Sequence, residues 1–100
     1  MHARVTTIEM DASQIDEAIS QLEERDVPTF KEIDGFRGMT VFVDRSSGKA
    51  IASTYWGSEE QMRTSEESVK EARQRAADTG GASGTPQVEL FEVVLDTFVR

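Results

Sequence analysis

Side chains able to make or break bonds are scarce in this 100-residue chain, which has one histidine, His2, no cysteine and no asparagine. Zero cysteines removes disulfides, thiolate nucleophiles and thiolate metal ligands together. His2 stands beside Met1, where a side chain ordinarily frays. A transition-metal site would then need carboxylates alone, and no spacing suggests one. The run Gly80-Gly81-Ala82-Ser83-Gly84 precedes a strand rather than a helix, so it reads as a linker and not as a phosphate cradle. No nucleophile can be paired with a base, and the catalytic residues are unknown. What remains is binding chemistry. Tyr55 and Trp56 stand together at a strand end, just before a helix start, where large aromatics can wall a pocket. Phe42 and Met62 are the apolar partners expected there. Arg73, beside the buried stripe of the second helix, is the cation best placed to neutralise a phenolate or carboxylate. Arg37 and Glu92 are further polar groups that could face such a pocket.

The elements that must position these residues are legible from periodicity. Residues 2–10 suit a first strand, with Val5, Thr6, Thr7 and Ile8 favouring extended backbone. A helix starts near Asp11 or Ser13, and Ile15, Ala18, Ile19 and Leu22 form one buried stripe at i, i+3, i+4, i+7. Pro28 breaks or kinks it, and Phe30 and Ile33 continue a short apolar turn. A hairpin follows over 36–44 and 49–56. Its turn, Asp44-Arg45-Ser46-Ser47-Gly48, has Asp in front and Gly where a positive φ is needed. Met39, Val41 and Val43 face one way, Thr40 and Phe42 the other, so both faces of this strand need covering.

Ser58 and Gln61 spell a capping box for a second helix over 59–78. Glu59–Arg63, Glu66–Lys70 and Glu71–Arg75 are i,i+4 pairs with the acid first. Its buried stripe, Met62, Ser65, Val69, Ala72 and Ala76, is lean, which predicts a gap lined by Trp56, Tyr55, Phe42 and Met62. After the flexible stretch 79–85 comes a last strand from Gln87 to Leu95, extended by residues 96–100. Fully extended, residues 87–100 would reach about 45 Å, more than the hairpin can pair. That predicts an arm, ending in Phe98 and Val99, that crosses to a partner. The order is β-α-β-β-α-β, a ferredoxin-like α+β arrangement with an antiparallel four-stranded sheet and two helices on one face.

Composition narrows the rest. One hundred residues make about one domain, 1–100, that buries roughly two-thirds of its unfolded surface. No apolar run approaches the ~20 residues that span a bilayer, and the first residues lack the apolar core of a secretion signal. A cytoplasmic protein is expected. The net charge of -8 opposes nucleic acid binding.

Gly35-Phe36-Arg37-Gly38 opens the hairpin, Asp44-Arg45 and Gly48 form its turn, and Trp56 precedes a capped helix. On these residues, and over nearly its whole length, the chain resembles the antibiotic-biosynthesis-monooxygenase superfamily of dimeric α+β barrels. Asp34 stands where many relatives have proline. The resemblance implies a homodimer in which two ferredoxin-like subunits pack their sheets into a shared barrel. It also implies a ligand between sheet and helices near Trp56. Some relatives oxidise aromatic polyketides without a cofactor and others degrade haem. Both branches use an asparagine near the tryptophan, and the haem branch adds a histidine on the second helix. Here asparagine is absent and Glu66 stands ten residues after Trp56. The expectation is therefore a small dimeric protein of unestablished activity, without cofactor, that binds a small apolar or aromatic ligand near Trp56. The alternative is a cofactor-independent monooxygenase acting on an aromatic or polyketide-type substrate.

Overall fold

The computed structural model describes residues 1–98. β1 (His2–Glu9) uses the β-branched run Val5 to Ile8. Asp11 caps a 3-10 turn, Ala12–Gln14, by accepting from the Ser13 N–H at 2.9 Å. α1 (Ile15–Gln21) follows, with Ile15 and Ala18 buried. Pro28 does not end this helix. It has no N–H to donate to a carbonyl four residues back, and the chain widens into a π turn over Leu22–Asp26. The Val27 N–H there donates to the Leu22 carbonyl, five residues earlier. α2 (Val27–Phe30) then resumes with Pro28 in its first turn and Phe30 buried.

β2 (Phe36–Asp44) and β3 (Lys49–Trp56) form the expected hairpin. At its turn the Ser46 N–H and hydroxyl donate to Asp44 Oδ1 at 3.1 and 2.7 Å. Gly48 takes φ 83, the left-handed region such a turn requires.

The single second helix expected over 59–78 is two helices, α3 (Glu59–Thr64) and α4 (Glu66–Thr79). The break falls at Ser65. The Met62 carbonyl at this point accepts from the Ser65 hydroxyl at 2.6 Å and from Arg4 Nη2 at 2.6 Å. A buried guanidinium thus takes up backbone that a continuous helix would use for itself. Half of the capping box forms: Ser58 Oγ accepts from the Gln61 N–H at 3.1 Å. The Gln61 side chain turns instead toward Asp34, 3.5 Å away.

β4 (Gln87–Glu92) is shorter than expected. It pairs antiparallel with β1, from Thr7↔Gln87 to His2↔Glu92, and the ladder closes where Val93 donates to the Met1 carbonyl at 2.9 Å. Residues 93–98 have no regular structure. The ring of Phe98 lies edge-on to Tyr55 of its own chain, centroids 5.6 Å apart. Val99 and Arg100, the end of the expected crossing arm, lie outside the described residues.

The strands form one open antiparallel sheet in the order β2-β3-β1-β4. Its registers, Arg4↔Thr54 and Met39↔Thr54 among them, put Arg4, Thr6, Ile8, Thr54, Trp56 and Met39 on the face that meets the helices. Two apolar clusters lie in that layer: Ile8, Met10, Ile15, Ala18, Ala50 and Ala77 at one end, and Phe30, Trp56, Met62, Val69 and Ala72 at the other. The opposite face carries Val5, Ile51, Tyr55, Phe42 and Phe91, of which Phe42 is 57 % and Phe91 48 % exposed. Among the described residues, no helix is long and apolar enough to cross a membrane.

Candidate functional site

Trp56 ends β3 on the helix-facing side and is completely buried. Its indole N–H donates to Thr54 Oγ1 at 3.0 Å. Phe36 packs edge-on at 5.4 Å and in turn meets Phe30 at 6.2 Å. The guanidinium carbon of Arg4 sits 5.8 Å from the Trp56 ring centroid, a cation–π arrangement. Met62 is equally buried. Trp56 is thus packed by protein on all sides, and the gap expected against it lies elsewhere.

Strand alternation directs Arg4 inward to the polar centre of this layer, where it is 2 % exposed. It donates from Nη1 to Ser65 Oγ at 3.1 Å and from Nη2 to the Met62 carbonyl. Its Nε lies 3.3 Å from Glu66 Oε1 without the alignment of a hydrogen bond. Arg73, one face along α4, grips Glu66 with both terminal nitrogens at 2.9 and 2.7 Å. The expected Glu66–Lys70 pair is therefore displaced by Arg73, whose planar fork matches a carboxylate. Burial lowers the Arg4 pKa, with Glu66 opposing that shift and Arg73 adding to it. The hydrogen bonds from Arg73 are the main cause holding the Glu66 carboxyl below its ordinary range.

That depression makes stability pH-dependent. A carboxylate titrating lower in the folded than in the unfolded chain stabilises fully above its unfolded value, about 4.3 for glutamate. The contribution disappears as pH falls through the lower folded value. Glu66→Gln has no such titration, so the difference in melting temperature between wild type and Glu66→Gln is expected to be constant near neutrality and to shrink below about pH 4. Thermal melts of both proteins across pH 2.5–7, a range set at roughly two units either side of the glutamate value, check this. A constant difference throughout would contradict the pairing.

An apolar crevice opens where α4 presents small residues to the sheet. It measures about 50 Å³ and is lined by Thr6, Ile8, Met39, Ala52 and Thr54 from the strands, Leu22 and Phe30 from the π turn and α2, and Val69, Ala72, Arg73 and Ala76 from α4. A neighbouring space of about 30 Å³ shares Thr6, Ile8, Leu22, Ala52 and Ala76 and continues toward Met10 and Ile19. Arg73 is the one charged side chain in either lining, and its Nε is buried with no hydrogen-bond acceptor. The lean stripe thus produces a gap, though one set along α4 toward Ala72 and Ala76. The roof is tied down by Asp26 in the π turn, 4 % exposed, which accepts from Arg75 Nη2 of α4 at 2.6 Å.

The residues singled out from the sequence divide between two faces. Trp56, Met62 and Arg73 lie in the sheet–helix layer, whereas Tyr55 and Phe42 stand on the open face, because alternation turns neighbours on a strand to opposite sides. Of these, only Arg73 lines the crevice. Tyr55 and Phe98 instead border a wide basin of about 900 Å³ on the open face, together with Arg37, Lys31 and Asp96. The Tyr55 hydroxyl is 3.3 Å from Thr40 Oγ1. Glu92 is exposed on β4. Sequence reasoning passed over Arg4 and the role of Glu66. The signal for Arg4 was available, since it shares the inward parity of Thr6 and Ile8.

No protein-family model matches the chain. It is 38% identical over 93 residues to the uncharacterized protein Rv2557 of Mycobacterium tuberculosis, an alignment covering 93% of this chain and 41% of that protein. The chain thus spans about two-fifths of the length of the curated relatives it matches. Among solved structures it is similar to a monooxygenase from the gene ActVA-Orf6 of Streptomyces coelicolor in complex with nanaomycin D. The TM-score is 0.80 at 16% identity, covering 99% of this chain and 92% of that one. It is likewise similar to the haem degrader MhuD of Mycobacterium tuberculosis, which holds two haems in its active site. There the TM-score is 0.73 at 21% identity, covering 98% of this chain and all of that one. The likeness covers nearly the whole chain, and it gives the chain the α+β fold of the antibiotic-biosynthesis-monooxygenase-type proteins.

Proposed function

We propose that this chain, one domain over residues 1–100, binds a small apolar or aromatic ligand in the crevice between sheet and helices. The observation that carries this reading is the crevice itself: an apolar lining closed on α4 by Ala72 and Ala76, with one partly buried cation, Arg73, in its wall. Its hydroxyls, on Thr6 and Thr54, and the Arg73 guanidinium are hydrogen-bonding groups. The lining contains no carboxylate or imidazole to act as a base, which favours binding over turnover. In its closed form the crevice holds only a fragment of a ring system. A larger ligand enters as α4 lifts, and the interruptions at Ser65 and at the π turn are where the helical layer can bend.

A substitution that fills the crevice tests this. Ala76→Leu adds apolar volume to a space that both linings share. It is expected to leave the melting temperature unchanged or raised, since it fills a void. It is also expected to weaken binding of 1-naphthamide, a neutral aromatic probe, by about tenfold or more. Unaltered affinity, measured by calorimetry, would place the ligand elsewhere.

We further infer that the protein acts in the cytoplasm as a homodimer whose open sheet faces meet. The open face presents Phe42 and Phe91, and the tail adds Val94, Leu95 and Phe98, exposed by 86, 79 and 58 % respectively. Apolar surface of this kind is rarely left in water. Phe98 meets Tyr55 of its own chain with 58 % of its surface still exposed, apolar area that a partner's open face would cover. Sedimentation at micromolar concentration is expected to show a dimer. Phe42→Glu, which sets a charge on the β2 side of that face, should give a monomer with the same circular dichroism. A wild-type monomer would refute the inference.

A further inference from the structure

We propose that the ligand of the crevice is a carboxylate, and that Glu66 is an internal stand-in which this ligand displaces from Arg73. The proposal rests on the crevice being a ligand site and names the chemistry of what it takes. Three observations carry it. Two guanidiniums, Arg4 at 2 % and Arg73 at 13 % side-chain exposure, share the single carboxylate of Glu66, which leaves one surplus positive charge in the layer. Buried charge is stable only when matched. Arg73 lines the apolar crevice, and its Nε–H is buried with no acceptor, so a donor remains unused at the wall. Glu66, by contrast, is 41 % exposed at the start of α4. The two arginines are fixed and the carboxylate can leave.

The exchange has a ready destination for Glu66. Lys70 is exposed one turn along α4, at i+4 with the acid first. When a ligand carboxylate takes the Arg73 fork from the crevice side, Glu66 rotates outward to Lys70, and Arg4 keeps its bonds to Ser65 and Met62. The site then pairs charge for charge: ligand with Arg73, Glu66 with Lys70. A planar two-oxygen anion fits the bidentate geometry that Glu66 already displays. A neutral amide of the same shape gains none of this.

The test compares 1-naphthoate with 1-naphthamide by calorimetry on wild type, Glu66→Gln, Lys70→Ala and Arg73→Gln, each checked for folding by circular dichroism. With the internal competitor removed, Glu66→Gln is expected to bind naphthoate about tenfold more tightly and naphthamide within about twofold of wild type. Lys70→Ala, an exposed change safe for folding, is expected to weaken naphthoate alone, and Arg73→Gln to abolish the preference for the acid. If naphthamide binds wild type and naphthoate gains nothing in Glu66→Gln, or Lys70→Ala leaves naphthoate unaffected, the displacement proposal is overturned while the crevice stands. If neither probe binds any of the four proteins, both fall.

Discussion

Replacing Trp56 with alanine is expected to cost about 3–5 kcal/mol, the range for deleting a large aromatic from a core that cannot collapse around the hole. The ring is buried completely, flanked by Phe36 and Arg4, and its indole N–H satisfies Thr54 Oγ1. Truncation empties the middle of one of the two apolar clusters and leaves the Thr54 hydroxyl unpaired. For a domain of this size, each kcal/mol moves the midpoint by roughly 4–8 °C, so the loss is expected to exceed about 12 °C. Trp56→Phe, which keeps a ring against Phe36, should lose less than half as much. A small shift for Trp56→Ala in a calorimetric melt would mean that the residue walls a cavity rather than seals the core.

Arg4→Ala is the second large effect, at about 3 kcal/mol or more, and it separates packing from charge. The side chain fills the space beneath Trp56 and donates to Ser65 and Met62, so alanine removes volume and two buried hydrogen bonds together. Arg4→Met keeps most of the volume and removes the surplus charge, leaving Glu66 and Arg73 as a balanced pair. Replacing a buried ion by a well-fitting apolar chain is often neutral. Methionine is therefore expected to lose less than half of what alanine loses. Equal losses for the two variants, measured by denaturant titration, would show that the charge itself holds the layer together.

The architecture was legible because both periodicities were clean. The hairpin bounds, the first helical stripe of Ile15, Ala18 and Leu22, and the strand order of a ferredoxin-like sheet all follow from alternation and from Gly48 in its turn. The misreadings come from tertiary contacts that local pattern does not encode. Pro28 reads as a break or a kink, but the π turn that absorbs its missing N–H and lets the helix resume is not written in the local pattern. Glu66 reads as the i,i+4 partner of Lys70, yet two arginines, one of them on β1, compete for it and win. Ser65 reads as one residue in the buried stripe of a continuous helix, yet an inward guanidinium from β1 interrupts the helix there. The last strand was read too long because its apolar alternation outruns the strand it pairs with, and β1 sets the limit at Val93.

The candidate site was half legible. The lean stripe announced a gap, expected against Trp56, Tyr55, Phe42 and Met62; the crevice lies instead by Ala72 and Ala76, with Arg73 in its lining. The aromatics were assigned together because they are adjacent in sequence. Adjacency on a strand puts Trp56 and Tyr55 on opposite faces, one sealed under the helices and one against Phe98. A site drawn from both faces at once would have had to pass through the sheet.

A crystal structure of the protein soaked or grown with 1-naphthoate tests the central claim most directly, because the sheet divides two incompatible answers. Electron density for the naphthyl ring is predicted on the helix side, between Thr6 and Ala52 of the sheet and Ala72 and Ala76 of α4, with the carboxylate against Arg73. Density on the open face, between Tyr55, Phe98 and Arg37, with the crevice still closed, would contradict it.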